Sequence, residues 1–275
     1  MFKLITLVCT LFLWTNVMSK TITLTRRNSV ILTGKIDSQS TSRIMGKLLL
    51  LDLIDSGDPI YLVLNSPGGS INSGLELVEL TKGMRRPVHT IAVFAASMAF
   101  TLHQLLGIRY VFNFSTLMAH KAFGRFGGEF PGQIDSRYNF WKHKLRKIDR
   151  VIVARLKKYT VKQWEKMYEN EYWVNGFDSI KGGFSDQKVS FRCDKDLMTI
   201  RVQSLTFFGL KFKVQWSNCP LITAPLSVKI GGNRKRVTIK EAREVIQKVK
   251  YMFDFKSWDI DEIKRINTFD YVPQN

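Results

Sequence analysis

"PIYLVLNSPGGSINSG" (residues 59–74) opens with an apolar run and reaches Pro67-Gly68-Gly69 before an amphipathic stretch begins. The run Ile60 to Leu64 is short, β-branched and aromatic, which predicts a strand buried on both faces. Gly68 and Gly69 permit backbone dihedrals that a Cβ forbids, and they let a ligand approach the amides closely. Ser70, Asn72 and Ser73 then offer capping side chains ahead of Leu75, Leu77, Val78 and Leu80, the pattern of a helix. Strand, glycine turn and helix in succession suit an exposed N–H aimed at an anionic group. Glycine pairs also end strands for steric reasons alone, so this stretch defines local structure and leaves its purpose open.

Outward from that stretch the same alternation repeats. Ser29 to Thr33, followed by Gly34, predicts a strand and a turn; Ser40 to Asp55, with Ile44, Leu48, Leu51, Leu53 and Ile54, predicts a helix. A helix over about 71–82, a strand at Val88 to Phe94, a helix after Ser97 and a strand around Leu117-Met118 follow. Such a βα succession predicts an α/β fold with parallel strands, right-handed crossovers and helices covering the sheet. Asp135 to Lys158 reads as a long helix, with Tyr138, Trp141, Leu145, Ile148, Ile152 and Leu156 recurring every three or four residues. Its other faces carry nine basic and two acidic residues. Thr160 and Gln163 form a capping box for the next helix. Beyond about residue 190, Met198, Ile200 and Val202 alternate with polar partners, as do Phe212, Val214 and Trp216. Both runs predict antiparallel strands with one wet face. Thr238 to Glu241 opens a last helix to about Phe253. We therefore divide the chain into an α/β domain over 20–190 and a small α+β extension over 191–275.

Composition narrows the class. Hydrophobic residues make up 45% and aromatics 12% of 275 residues, enough for a packed core and too many for a disordered chain. The net charge of +19 admits nucleic acid, an anionic membrane surface or acidic substrates as partners, and a solvated basic surface accounts for it equally well. No nucleic-acid motif accompanies the charge, so no specific nucleic-acid partner is expected. Met1-Phe2-Lys3 is followed by an apolar core from Leu4 to Trp14, broken only by threonines and a cysteine. That layout predicts a secretory signal peptide over residues 1–19, cut before Lys20, with a core too short for a comfortable membrane span. An uncleaved signal would instead anchor the chain. Export, to a periplasm or beyond the cell, leaves Cys193 and Cys219 in an oxidising compartment, where we expect them to bridge.

Two residues have the types needed for nucleophilic chemistry. Ser97, in "FAASMAF" (94–100), falls where a strand passes into a helix. A serine there serves as a helix cap, or as a nucleophile facing the helix dipole and the amide of Met98. A serine nucleophile needs a base. His89 lies within a predicted strand, and His103 and His143 lie on predicted helices where packed or solvated roles suffice. His120 follows the apolar run 116–119 and precedes the glycine-bearing loop "FGRFGGEFPGQ", at the carboxyl edge where open α/β sheets place their sites.

"VILTGKID", "YLVLNSPGGSINSG", "AASMAF", "LMAHKAFG" and "TVKQWEKMYENEYWVNGFDSIKGGFSD" occur in order over residues 28–188. In sequence and spacing this set resembles the proteolytic subunit of the Clp protease family. The resemblance implies a Clp-crotonase fold of repeated ββα/βα units, with Ser97 as nucleophile and His120 as base. It implies an oxyanion hole from the amides of Gly69 and Met98, and a peptide-binding groove that includes Gly68, Ser70 and Phe123. It also implies a homo-oligomeric ring, no cofactor and no metal, and it matches the 135–158 helix to the handle through which such rings stack. Two strongly basic handles would repel each other, so ring assembly is expected and stacking is not.

The chain departs from the family pattern at several points. Glu171 stands where the family has its triad aspartate, one methylene longer and still able to orient a histidine. Val93-Phe94 replaces a usual Gly-Gln, and Lys121-Ala122 follows His120 in place of Gln-Pro. Only residues 20–28 separate the expected cut from the first predicted strand, so a pore-lining segment that docks an unfoldase is not expected. An exported serine endopeptidase acting on peptides or unfolded chains without ATP coupling is the first reading. The alternatives are a catalytically silent peptide-binding scaffold, a crotonase-like acyl-thioester enzyme, and a Ser–Lys peptidase using Lys121.

Overall fold

The structure is a computed structural model and describes residues 21–207, 210–222 and 226–231. The expected signal peptide over 1–19 and the helix from Thr238 to about Phe253 lie outside these residues. The chain runs β1 (Thr21–Leu24), β2 (Ser29–Thr33), α1 (Ser38–Asp52), β3 (Ile60–Ser66), α2 (Ile71–Lys82), β4 (Val88–Ala96), α3 (Met98–Leu105) and β5 (Arg109–Ala119). It continues through α4 (Gly132–Leu156), α5 (Val161–Met167), β6 (Tyr172–Asn175), α6 (Gly176–Gly182), β7 (Gln187–Lys188) and β8 (Ser190–Cys193). A short 3-10 turn precedes β9 (Ile200–Phe207), β10 (Leu210–Ser217) and β11 (Ser227–Gly231).

The central sheet has the order β2-β3-β4-β5-β6, with β7 also paired to β5. Its first four strands are parallel, as the βα alternation predicts, and β6 turns antiparallel against β5. Strand β3 is buried on both faces. Ile60, Leu62 and Leu64 join the apolar cluster beneath the helices, while Tyr61 and Val63 join a second cluster on the opposite face. That second cluster draws Ile22 and Leu24 from β1, and Val189, Leu197 and Cys219 from the C-terminal part, onto the same sheet. The described residues just beyond 190 therefore share a core with the sheet. β8 pairs in parallel with β1, so the first strand begins at Thr21 rather than at Ser29; a single four-residue run gave too little period to register. The alternating residues after Met198 form the antiparallel sheet β9-β10-β11.

Local chemistry sets the helix starts. Asp37 caps α1, accepting from the Ser40 amide at 2.8 Å while its own amide donates to Ser40 Oγ at 2.9 Å. The helix thus begins two residues earlier than Ser40. Thr160 and Gln163 close the expected capping box of α5. Helix α4 is packed mainly toward its C-terminal end, where Ile152, Leu156 and Asp149 are buried. Asp149 accepts from Trp164 Nε1 and Tyr168 OH, each at 2.9 Å, which ties α4 to α5. The opening turns leave Tyr138 and Phe140 exposed. The apolar stripe is real, but along those turns little of the described chain covers it. Among the described residues, no helix is long and apolar enough to cross a membrane.

Candidate active site

The register of β4 slips where its family-atypical pair lies. Leu64 faces Ala92 and Asn65 faces Phe94, which leaves Val93 as an extra residue; on the other side Ala92 faces Val111 while Phe94 faces Thr116. Ser115 Oγ closes the irregular stretch, accepting from the Phe112 amide and donating to the Ala92 carbonyl. Bulges of this kind re-aim the residues that follow them. Three residues after the slip, Ser97 sits between β4 and α3 at φ 56° and ψ −121°, a conformation that residues with a Cβ seldom adopt. Its amide donates to the Met118 carbonyl at 2.8 Å, and its carbonyl accepts from Thr101.

The Ser97 hydroxyl makes no helix-capping bond. It lies 2.7 Å from His120 Nε2 instead. His120 follows directly on β5, and Ala96 of β4 faces Met118 of β5, so both side chains emerge from adjacent strand ends at one edge of the sheet. With Oγ–H donating to Nε2, the remaining ring proton belongs on Nδ1.

The glycine turn packs against the serine. A Cβ on Gly68 (φ 93°) would meet Ser97 Cβ and the Ala96 carbonyl at 2.6 Å and the Met98 amide at 2.8 Å. On Gly69 (φ 147°) it would strike the Ile36 carbonyl at 2.2 Å. Ile36 staples the turn from β2's side: its amide donates to Gly68 O and its carbonyl accepts from the Ser70 amide, both at 2.8 Å. The Gly68 amide is held by Ser66 Oγ at 3.1 Å. Neither the Gly69 nor the Met98 amide donates to another group among the described residues. These two N–H groups are thus unengaged beside the serine. Ser70 is occupied internally, since its hydroxyl caps α2 by accepting from the Ser73 amide. Phe123 stands 86% exposed in the segment after His120.

Glu171 lies immediately before β6. The ladder ends with Ala119 facing Tyr172; His120 is the next residue after β5 and Glu171 the one before β6, so both sit just beyond the last pair. The residue is left-handed at φ 69°, and its Oε2 accepts from Trp173 Nε1 at 2.9 Å. Among the described residues no hydrogen bond joins Glu171 to His120. Lys121, the base of the Ser–Lys alternative, pairs with Glu169 at 3.1 Å.

The other histidines have separate roles. His103 is fully buried, 2.8 Å from Thr90 Oγ1 and 3.1 Å from Ser185 Oγ; burial, then the nearby Arg109 charge, pushes its pKa down to about 3. His89 accepts from the Ile108 amide, and burial lowers its pKa. His143 is exposed and bonds the Asn139 carbonyl. Ile36, Ser66 and Trp173 are the site's neighbours that sequence reading passed over. Ile36 lies within the quoted "VILTGKID" and Ser66 precedes Pro67, but neither residue type announces a backbone staple. Trp173 lies in β6, two positions after Glu171, which precedes the strand in a left-handed conformation that no strand period announces.

The pattern of the family described as Clp protease matches residues 14–191, more than half of the chain. The chain belongs to the Clp protease family. The ATP-dependent Clp protease proteolytic subunit of Streptococcus mutans serotype c (strain ATCC 700610 / UA159) is 30% identical over 165 residues, 58% of this chain and 82% of that protein. Proteins of the same description from Streptococcus pyogenes serotype M5 (strain Manfredo) and Streptococcus equi subsp. equi (strain 4047) are similar to the same extent. Membership of the Clp protease family supports a serine peptidase of Clp type, and the mixed α/β architecture accords with the Clp fold.

Proposed function

We propose that this chain is an active serine endopeptidase that hydrolyses peptides or unfolded polypeptides. Ser97 is the nucleophile, His120 the general base and Glu171 the orienting carboxylate. The observation that carries the reading is the 2.7 Å Ser97 Oγ–His120 Nε2 hydrogen bond, formed at a strained turn. As Oγ attacks a peptide carbonyl, Nε2 takes its proton; the resulting oxyanion meets the unengaged amides of Gly69 and Met98. The imidazolium returns the proton to the leaving amine, and a water molecule, deprotonated by the same ring, releases the acyl group from Ser97. A peptide lying beside the glycine turn as an added strand presents its carbonyl there.

The finer parts of the proposal have separate support. Export is supported by the apolar core at 4–14 and by the disulfide joining Cys193 to Cys219, whose Cα atoms are 5.8 Å apart. An exported enzyme has no cytoplasmic unfoldase to drive it, which favours action without ATP coupling. Ring assembly is carried over from the family. A crotonase-like chemistry has no use for a hydrogen-bonded serine and histidine. The silent scaffold is favoured by one observation, the bond of Glu171 to Trp173 in place of His120.

Turnover of a short fluorogenic peptide separates these readings. Ser97→Ala and His120→Ala should each lower kcat about as far as the two together, since the members act as a unit. Turnover that persists in Ser97→Ala, or a native protein with none, would remove the peptidase reading.

A further inference from the structure

The carboxylate expected behind His120 lies just beyond the last β5–β6 pair and is bonded to another partner. Glu171 and His120 flank the last β5–β6 pair, Ala119 and Tyr172, yet Glu171 Oε2 accepts from Trp173 Nε1 at 2.9 Å. The neighbouring carboxylate, Glu169, is held by Lys121. His120 Nδ1 therefore has no carboxylate among the described residues, although Nε2 is already bonded to Ser97. The left-handed backbone at Glu171, φ 69°, is a costly one for a residue with a Cβ.

We propose that Trp173 is a positioning residue that holds Glu171 off His120 in the resting protein. The inference rests on the peptidase reading above. The indole N–H is a neutral donor, and at 52% exposure Trp173 is shared with water, so its hold on the carboxylate is weak. As Ser97 attacks, His120 becomes an imidazolium, and its Nδ1–H is then a charge-assisted donor, a stronger partner for a carboxylate. Glu171 exchanges the indole for the imidazolium when charge develops on the ring. The bond to Trp173 is lost in the transition state, so it stabilises the ground state and lowers kcat without altering peptide binding.

The test is Trp173→Phe, which keeps the aromatic body and removes the N–H. Expected is a rise in kcat of about 3- to 10-fold with KM unchanged, the signature of a ground-state interaction removed. The rate of Ser97 modification by a fluorophosphonate probe should rise in parallel. In a Glu171→Gln background the Trp173→Phe effect should vanish, because Trp173 acts only through that carboxylate. An unchanged or lowered kcat in Trp173→Phe, or a rise that survives in the Glu171→Gln background, would overturn the inference. If the probe labels Ser97 in the native protein but no faster in Trp173→Phe, this inference fails and the peptidase reading stands. If Ser97 is labelled in neither, both fail.

Discussion

Gly68 has no room for even a methyl group, because a Cβ there would overlap Ser97 Cβ and the Ala96 carbonyl at 2.6 Å. Its left-handed φ of 93° adds strain for any other residue. Gly68→Ala should therefore displace Ser97 and lower peptide turnover by about 100-fold or more, the scale of a misplaced reacting group. Circular dichroism should show a retained fold, and a fully active Gly68→Ala would contradict the packing. Glu171→Gln keeps the side-chain shape and removes the charge. It should lower kcat by up to about 10⁴-fold if the carboxylate stabilises the His120 imidazolium, measured with the same peptide. At this scale the sequence was readable where a residue type is rare in its role. Ser97 between small residues, His120 at a strand end and the glycine pair each stood out. The bond of Glu171 to Trp173 did not, because both residue types are common on strand surfaces and their choice of partner depends on a left-handed backbone.

Elements were legible in proportion to their period. The parallel strands β2 to β4 and the helices α1 to α5 carry clear apolar spacing, and the structure has them within a few residues, whereas β5 starts at Arg109, well before the expected strand around Leu117-Met118. β1 and β6 are four residues each, too short to show a period, and both are held by pairing with distant strands. The register slip at Val93 was equally hidden, since a bulge is a relation between strands. Helix α3 is fixed from below by His103, which bonds Thr90 of β4 and Ser185 beyond α6, with Arg109, Arg155 and Asp186 as the charges around it. The folded protein holds that ring neutral, with its pKa pushed down to about 3 against 6.5 for an ordinary histidine. Between those values the unfolded chain binds the extra proton and the folded chain does not, so stability falls as pH drops. The contribution is intact above the unfolded pKa. Below it, unfolding free energy should fall by roughly 1.4 kcal/mol per pH unit. Urea titrations between pH 6.5 and 4.5 should show this slope in the native protein, and His103→Gln should flatten it. An unchanged slope in His103→Gln would assign the acid sensitivity to other groups.

Among the described residues, the sheet is covered on both faces, by helices on one and by β1, β8 and the segments around Leu197 and Cys219 on the other. The Cys193–Cys219 disulfide pins part of that second layer, closing a loop with a sequence separation of 26. By the chain-entropy estimate, removing it should cost about 3.5 kcal/mol of stability. A Cys193→Ser/Cys219→Ser double variant should melt several degrees lower than the oxidised protein, and equal melting temperatures would show that the bridge is absent in solution. The large basic excess was visible in composition, whereas the cover on the sheet's second face was not, because it is assembled from segments far apart in the chain. These layers hold Ser97 and His120 together at one edge of the sheet. The most direct measurement is labelling of the intact protein with a fluorophosphonate probe, followed by mass spectrometry of its peptides. Expected is one adduct, on the peptide containing Ser97, lost in Ser97→Ala and slowed severely in His120→Ala. Labelling that persists in Ser97→Ala, or a native protein that takes up no probe, would contradict it.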